Sequence, residues 1–459
     1  MKRRFEEFRS TQTSHFFSVD AEQRVTHATR RSWVLAGVAF AALMVLGAGY
    51  CFTRQPWWDE GVFCDTAINF RNFGHLGSTV LDAHGYRDWP RVHDYTYWQF
   101  PLYLIALGAW FRLVPVGIVW MRLFSLAWAC PYVVCWFMLV RHIARNEELA
   151  LWIASLVGLN YEVIAAASNG RMEMMCVTLG LMSVTYFVCQ RERSWARAAA
   201  GSACFAAAAL FCHPLGLICN GWLAAVVILH WREIRWRGLA LASLPYLLGF
   251  AIYAAYVLKA PHIFLAQARE AYLYRIAGGP SLGRKIITDF VSRYWELYYA
   301  ALSGAKRLKL FSLLFGVVGT VLLAANSKWR RSPLGRILLI FACISYVGVA
   351  ALDNQDIPAY FTYSMPMLTG CAALWVYAEW QTSRRVFRFI SGGLATAAVL
   401  AAVGGFSMKI LANERKHLYM PVIEAVRSHL PPNGKVMGGS ELGFALGFQP
   451  YLIDDRFLG

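Results

Sequence analysis

Apolar residues run along this chain in blocks of about twenty, separated by short clusters of Arg and Lys. A continuous block of that length reads as a helix able to cross about 30 Å of hydrocarbon. About eleven such spans are predicted, at 32–53, 118–140, 149–167, 174–190, 196–212, 215–230, 238–258, 310–326, 335–352, 360–378 and 388–410. One further apolar stretch, 99–114, opens with Gln99-Phe100-Pro101-Leu102-Tyr103. At 1.5 Å per residue it reaches only about 24 Å, which suits an interfacial or re-entrant helix.

The polar clusters orient these blocks. Arg141/Arg145, Arg191/Arg193/Arg197, Arg232/Arg235/Arg237, Lys328/Arg330/Arg331/Arg336 and Arg384/Arg385/Arg388 place fifteen Lys and Arg in short loops. If 99–114 does not cross, all fifteen share a side with the basic N-terminus (Lys2, Arg3, Arg4, Arg9, Arg30, Arg31), the side the positive-inside rule assigns to the cytoplasm. The long loop 259–309 then lies outside although it is basic. Long loops escape the rule, and positive charge there suits anionic lipid.

The tail carries a different pattern. Tyr419–Leu430 has helical spacing, Pro431-Pro432-Asn433-Gly434 makes a turn, and Lys435-Val436-Met437 starts a strand. Under fifty residues hold little core, so this lobe is expected to dock on the outer loops. Three parts follow: a cytoplasmic segment 1–31, a transmembrane module 32–411 with outer loops 54–117 and 259–309, and a small C-terminal periplasmic α/β lobe 412–459. The fold class is an all-α polytopic membrane protein with that appendage.

Composition agrees. The 459 residues are 58% hydrophobic and 15% charged, against about 25% charged in soluble domains. The net charge of +17 is dispersed among loops, which excludes a nucleic-acid surface. The eleven Cys residues follow no metal spacing. Cys130, Cys135, Cys176, Cys189, Cys204 and Cys343 fall inside apolar runs and read as small buried hydrophobes.

The topology gathers a second set of polar residues at the outer side: Asp59 and Glu60 after Trp57-Trp58, then Arg122, Glu162, Asn169, Arg171, Glu173, His213, Lys259, Asp353, Asp356, Tyr360 and Tyr363. Charges at the membrane are functional candidates. Each has a plain alternative. The two acids are the wet end of a helix, Arg122 snorkels to headgroups, Arg171 pairs with Glu173 or Glu162, His213 ends a helix before Pro214, and Tyr360 and Tyr363 belong to an interfacial belt. Their convergence favours chemistry. Arg forks match phosphate oxygens, a carboxylate takes a proton from an acceptor hydroxyl, and the charge of a leaving phosphate is offset by Arg or a divalent metal ion. No metal-ligand set is assigned, and no Gly-rich phosphate loop stands in a strand–turn–helix context.

In order and spacing, the chain resembles the GT-C glycosyltransferases, in the bacterial branch related to protein O-mannosyltransferases and the lipid A aminoarabinose transferase. The matching pieces are Asp59-Glu60 after the first span, Phe100-Pro101-Leu102-Tyr103, Met121-Arg122-Leu123-Phe124-Ser125, Gly170-Arg171-Met172-Glu173, His213-Pro214-Leu215-Gly216 and Tyr360 to Pro366. The resemblance implies a GT-C fold with juxtamembrane helices in the first outer loop, in a bacterial inner membrane. It implies a polyprenyl-phosphate sugar donor, a glycan, lipid or protein acceptor on the periplasmic face, and Asp59 as the catalytic carboxylate beside Glu60. Arg171, Glu173, Arg122, Asn169, His213 and Tyr360 are the candidate donor and substrate contacts. Gln99-Phe100-Pro101 stands where the family often has His-Pro-Pro, and the chain stops at Gly459 after a short lobe. Two other classes compete. A lipid or glycolipid flippase predicts midplane charges and paired broken helices, and a membrane scaffold needs no acids and Arg residues at one surface.

Overall fold

A computed structural model describes residues 26–81, 89–275, 279–294, 308–354, 357–382, 385–431, 434–448 and 452–454. The N-terminal cluster Lys2–Arg9, Asp356, Arg384 and Gly459 lie outside the described residues. The chain is helical almost throughout. In order the helices are α1 (Arg30–Thr53), α2 (Trp58–Phe73), α3 (Pro101–Trp110), α4 (Ile118–Ala144), α5 (Glu147–Gly158), α6 (Tyr161–Ala167), α7 (Glu173–Gln190), α8 (Trp195–Cys212), α9 (Gly216–Leu229), α10 (Trp231–Val257), α11 (Pro261–Arg275), α12 (Leu282–Asp289), α13 (Lys309–Ala325), α14 (Pro333–Leu352), α15 (Phe361–Thr382), α16 (Arg385–Ala412) and α17 (Met420–His429).

Each of the eleven predicted spans falls on a helix or, for 149–167, on the pair α5 and α6. Among the described residues, however, seven helices are long and apolar enough to cross a membrane unaided, and eight if the α5–α6 pair is one span bent by 64°. The difference has a physical cause. The Asn160 side chain accepts the Glu162 backbone N–H at 2.9 Å and starts a new helix inside an apolar run, α9 and α13 have 14 and 17 residues, and α15, although 22 residues long, carries Thr362, Ser364, Pro366, Thr369 and Glu379 among its apolar residues. The stretch predicted not to cross is the ten-residue α3, about 15 Å long.

Caps explain the other starts. The side chains of Thr29, Asn146, Ser194 and Ser332 accept backbone N–H groups at the first turns of α1, α5, α8 and α14. All four stand at the end of the bundle that carries the basic clusters. The opposite end, where α1 leaves and α2 begins, carries the candidate site. Trp136, Tyr132, Trp222 and Phe341 are fully buried in one continuous core. By contrast, Leu244, Leu247, Leu248 and Phe250 of α10 are exposed, as lipid-facing residues are. Two cysteines depart from expectation: Cys204 and Cys343 are exposed, on outward faces of α8 and α14, where apolar surroundings are lipid rather than core.

Beyond α16 the chain forms α17 and two short strands. Val436 pairs with Leu452 and Met437 with Ile453, in parallel. This lobe packs on α2, as Ser440 donates its hydroxyl to Trp58 O at 2.8 Å.

Candidate active site

The site begins at the first turn of α2. Pro56 and Trp57 leave α1 in extended backbone, and Trp58, Asp59 and Glu60 open α2. Two acids in a first turn face the helix dipole favourably. Glu60 also caps the helix, since its Oε2 accepts the Trp57 N–H at 2.8 Å. It is fully buried and compensated. Burial alone would raise its carboxyl, but the Arg122 charge and its hydrogen bonds reverse this and hold it below the ordinary Glu value.

Arg122, in the second turn of α4, is fully buried. Its Nε and Nη2 grip Glu60 at 2.8 and 2.7 Å. Nη1 donates to Cys51 O and Arg54 O at 3.1 and 2.8 Å, and Nη2 also to Gln55 O at 2.9 Å. All five guanidinium N–H groups therefore meet protein oxygens, three of them main-chain carbonyls where α1 ends. Arg122 does not snorkel; it ties α1, α2 and α4 together.

The next turn completes the geometry. Glu60 Oε1 accepts the Gly170 N–H at 2.8 Å. A Cβ on Gly170 would lie 2.8 Å from Met121 Cγ, so only glycine admits this approach. Arg171 then extends from the turn, 4% exposed. It donates through Nε and Nη2 to Glu173 Oε1 at 2.9 and 2.7 Å and through Nη1 to Asp59 Oδ2. Its guanidinium carbon lies 4.9 Å from the Trp57 ring centre. The ion-pair alternative for Arg171 is thus present, with Glu173, and Asp59 joins it.

His213 and Tyr360 meet one another, and Tyr360 and Tyr363 stand within electrostatic reach of Arg171. The His213 ring lies 5.4 Å from Tyr360 and 6.0 Å from Tyr363. Its Nδ1 accepts the Leu215 N–H at 3.1 Å and lies 3.2 Å from the Tyr363 hydroxyl. Tyr360 and Tyr363 are buried, so the expected interfacial belt is corrected: the bend at Pro358–Tyr360 turns both rings inward onto His213.

Beside the Asp59–Arg171 pair opens a cavity of about 260 Å³. Trp57, Asn169, Glu173 and Glu162 line it with three cations, Arg54, Lys309 and Lys409. Asn169 is nearly buried, and its Oδ1 has no hydrogen-bond partner among the described residues. The Lys409 ammonium sits 4.9–5.2 Å from the ring centres of Tyr50, Tyr161 and Phe406. None of the three cations is apparent from motif spacing. The available signal was Lys409 alone in the apolar run Phe406-Ser407-Met408-Lys409-Ile410.

A second buried knot was also missed. Arg293 is fully buried and bonds Asp353 Oδ2 at 2.7 Å, Asp353 O at 2.8 Å and Asp289 Oδ2 at 3.0 Å. It fastens α12 and the residues after it to the end of α14. Asp353 belongs to this knot. Among the described residues no three His, Cys, Asp or Glu side chains gather as a metal set.

No protein-family description matches the sequence, and no curated protein does. Solved structures do match. The aminoarabinose transferase ArnT from Cupriavidus metallidurans, bound to undecaprenyl phosphate, aligns at a TM-score of 0.62 and 13% identity, covering 93% of this chain and 86% of that one. The apo ArnT gives the same score at 12% identity, with the same coverage. The oligosaccharyltransferase of Archaeoglobus fulgidus in the apo form aligns at 0.54 and 11% identity, over 92% of this chain and 65% of that one. The fold is that of the GT-C membrane glycosyltransferases. The chain is a multi-pass membrane protein of that architecture.

Proposed function

We propose that this protein transfers a sugar from a polyprenyl-phosphate carrier to an acceptor hydroxyl, on the periplasmic face of a bacterial inner membrane. The observation that carries the reading is the cavity lined by Arg54, Lys309 and Lys409, set against the Asp59–Arg171 pair. Three cations outnumber the two carboxylates, Glu162 and Glu173, that line the same small cavity, and that excess of positive charge suits a phosphate. The fold supports the same reading, because ArnT, which shares it, was solved with undecaprenyl phosphate.

In this scheme the acceptor oxygen attacks the anomeric carbon from the face opposite the phosphate. Its proton passes to the Asp59 carboxylate. The bond from the anomeric carbon to the phosphate oxygen breaks, and its electron pair leaves with polyprenyl phosphate, giving inversion. Arg54, Lys309 and Lys409 offset the charge that develops there. Arg171 reaches the same phosphate by its remaining N–H groups and holds Asp59 in place. Glu173 and Asn169 meet the sugar from the cavity wall. Glu60 and Arg122 set the turn that carries Arg171, acting on the reaction through position, and His213 with Tyr360 supports the far wall.

The test is direct binding of the product. Purified protein in nanodiscs should bind undecaprenyl phosphate by native mass spectrometry, and simultaneous replacement of Lys309 and Lys409 by Met should weaken it roughly a hundredfold. Equal binding by both proteins would remove the phosphate from this cavity.

A further inference from the structure

The C-terminal lobe closes over the first turn of α2, and we propose that Asp454 is a positioning residue that fixes Asp59 for proton transfer through its neighbour Trp58. This rests on the reading of Asp59 as the base.

The contacts form a circuit that begins and ends on α2. The Asp454 carboxylate accepts the Trp58 indole N–H and, at 2.9 Å, the Ser440 backbone N–H. The Ser440 hydroxyl returns to Trp58 O at 2.8 Å. The Asp454 backbone N–H donates to Val80 O at 2.6 Å, beside the bridge from Leu81 to Asp454. The 78–80 segment is in turn held by Asp65, two turns along α2, whose carboxylate takes the Ser78 hydroxyl at 2.8 Å, the Thr79 N–H and hydroxyl at 2.6 and 2.8 Å, and the Val80 N–H at 3.3 Å. The lobe lies so close that a Cβ on Gly61 would stand 2.3 Å from the Ser440 carbonyl carbon.

The consequence is mechanical. Asp59 stands in a helix first turn, where ends fray, and its side chain meets Arg171 across from that turn. Trp58, one residue earlier, is gripped at both its indole and its carbonyl by the lobe. Rotation or loosening of that turn would move Asp59 against its acceptor, and a displacement of about 1 Å costs roughly a hundredfold in rate. Asp454 is 4% exposed, so water competes little for its bonds. A lobe that only stabilised the fold would leave turnover per folded molecule unchanged.

The experiment compares Trp58→Phe, Asp454→Ala, Asp454→Asn and the double variant Trp58→Phe/Asp454→Ala with wild type, all purified and matched for folded protein. Trp58→Phe removes one N–H and keeps the ring, so it carries the test even if Asp454→Ala folds poorly. The expected result is a fall in kcat of roughly 10- to 100-fold for Trp58→Phe and Asp454→Ala, with the donor KM within about threefold of wild type. The double variant should be no worse than either single one, because both remove the same link. Asp454→Asn, which keeps an acceptor oxygen, should recover most of the loss. Asp59→Asn runs alongside. If it is inactive while Trp58→Phe and Asp454→Ala turn over like wild type, the positioning proposal falls alone. If Asp59→Asn is itself fully active, the base falls and the positioning role falls with it.

Discussion

Arg122 and Glu60 face each other fully buried, joined by two hydrogen bonds of 2.8 and 2.7 Å, and every other N–H of the Arg122 fork meets a main-chain carbonyl where α1 ends. The pair fixes two things at once, the entry into α2 and, through Glu60 Oε1 and the Gly170 N–H, the turn that presents Arg171. Removing one partner strands a buried charge, at about 3–5 kcal/mol.

That pair has a pH signature. Glu60 is held below its ordinary value in the folded protein, so its contribution is complete above the unfolded Glu value of about 4.3 and is lost as pH falls through the folded value. Asp65 runs the other way, since burial raises its carboxyl despite four hydrogen bonds. Thermal unfolding of Glu60→Gln and wild type in detergent separates the two. The difference in Tm should be large at pH 7 and shrink below about pH 4. A constant difference across that range would mean the Glu60 charge contributes nothing.

The cavity cations should act on donor binding. Lys409→Met keeps the apolar stem among Tyr50, Tyr161 and Phe406 while deleting the charge. The donor KM is expected to rise roughly tenfold or more, with a smaller change in kcat. Transfer kinetics over a donor series check this, and an unchanged KM would place the phosphate elsewhere.

Arg171 separates a fork from a charge. Its Nε and Nη2 converge on one oxygen of Glu173 while Nη1 reaches Asp59, a geometry that a lysine ammonium does not reproduce. Arg171→Lys should therefore lose most transfer activity although the site's net charge is unchanged. Wild-type donor affinity and turnover in that variant would reduce Arg171 to a structural ion pair.

Orientation is tested separately. Ser281, before α12, and Ser327, between α13 and α14, are both exposed and lie on opposite sides in the proposed topology. In intact cells, Ser281→Cys should react with an impermeant thiol reagent and Ser327→Cys should not. The reverse pattern would put the site on the cytoplasmic face.

The spanning helices were legible because each is a largely continuous apolar block, and the shortness of 99–114 marked α3 as different, whereas α11 and α12 carry charged residues along their length and stood in the segment 259–309 that reads as a loop. The bend between α5 and α6 was not, since a single Asn160 inside an apolar run carries it. The Arg171–Glu173 pair joins residues two apart and was legible as an ion pair, but the contact of Arg171 with Asp59 joins residues 112 positions apart and no spacing encodes it. Lys309 and Lys409 meet one cavity from helices a hundred residues apart. Arg293 lies in a basic loop whose positive charge suits anionic lipid as well as an internal ion pair, and the burial of Tyr360 and Tyr363 depends on a three-residue turn before α15. Local pattern reports which face of a helix is polar; which polar groups face each other is decided by packing between helices.

Asp59 carries the central claim, and its amide tests it most directly. Asp59→Asn preserves shape and removes the carboxylate proposed to take the acceptor proton. The measurement is transfer of a labelled sugar from a polyprenyl-phosphate donor by purified protein in bilayers, with folded protein and donor binding checked in parallel. Turnover should fall by roughly 10²–10⁴-fold while the variant still binds undecaprenyl phosphate. Near-wild-type transfer by Asp59→Asn would contradict the account.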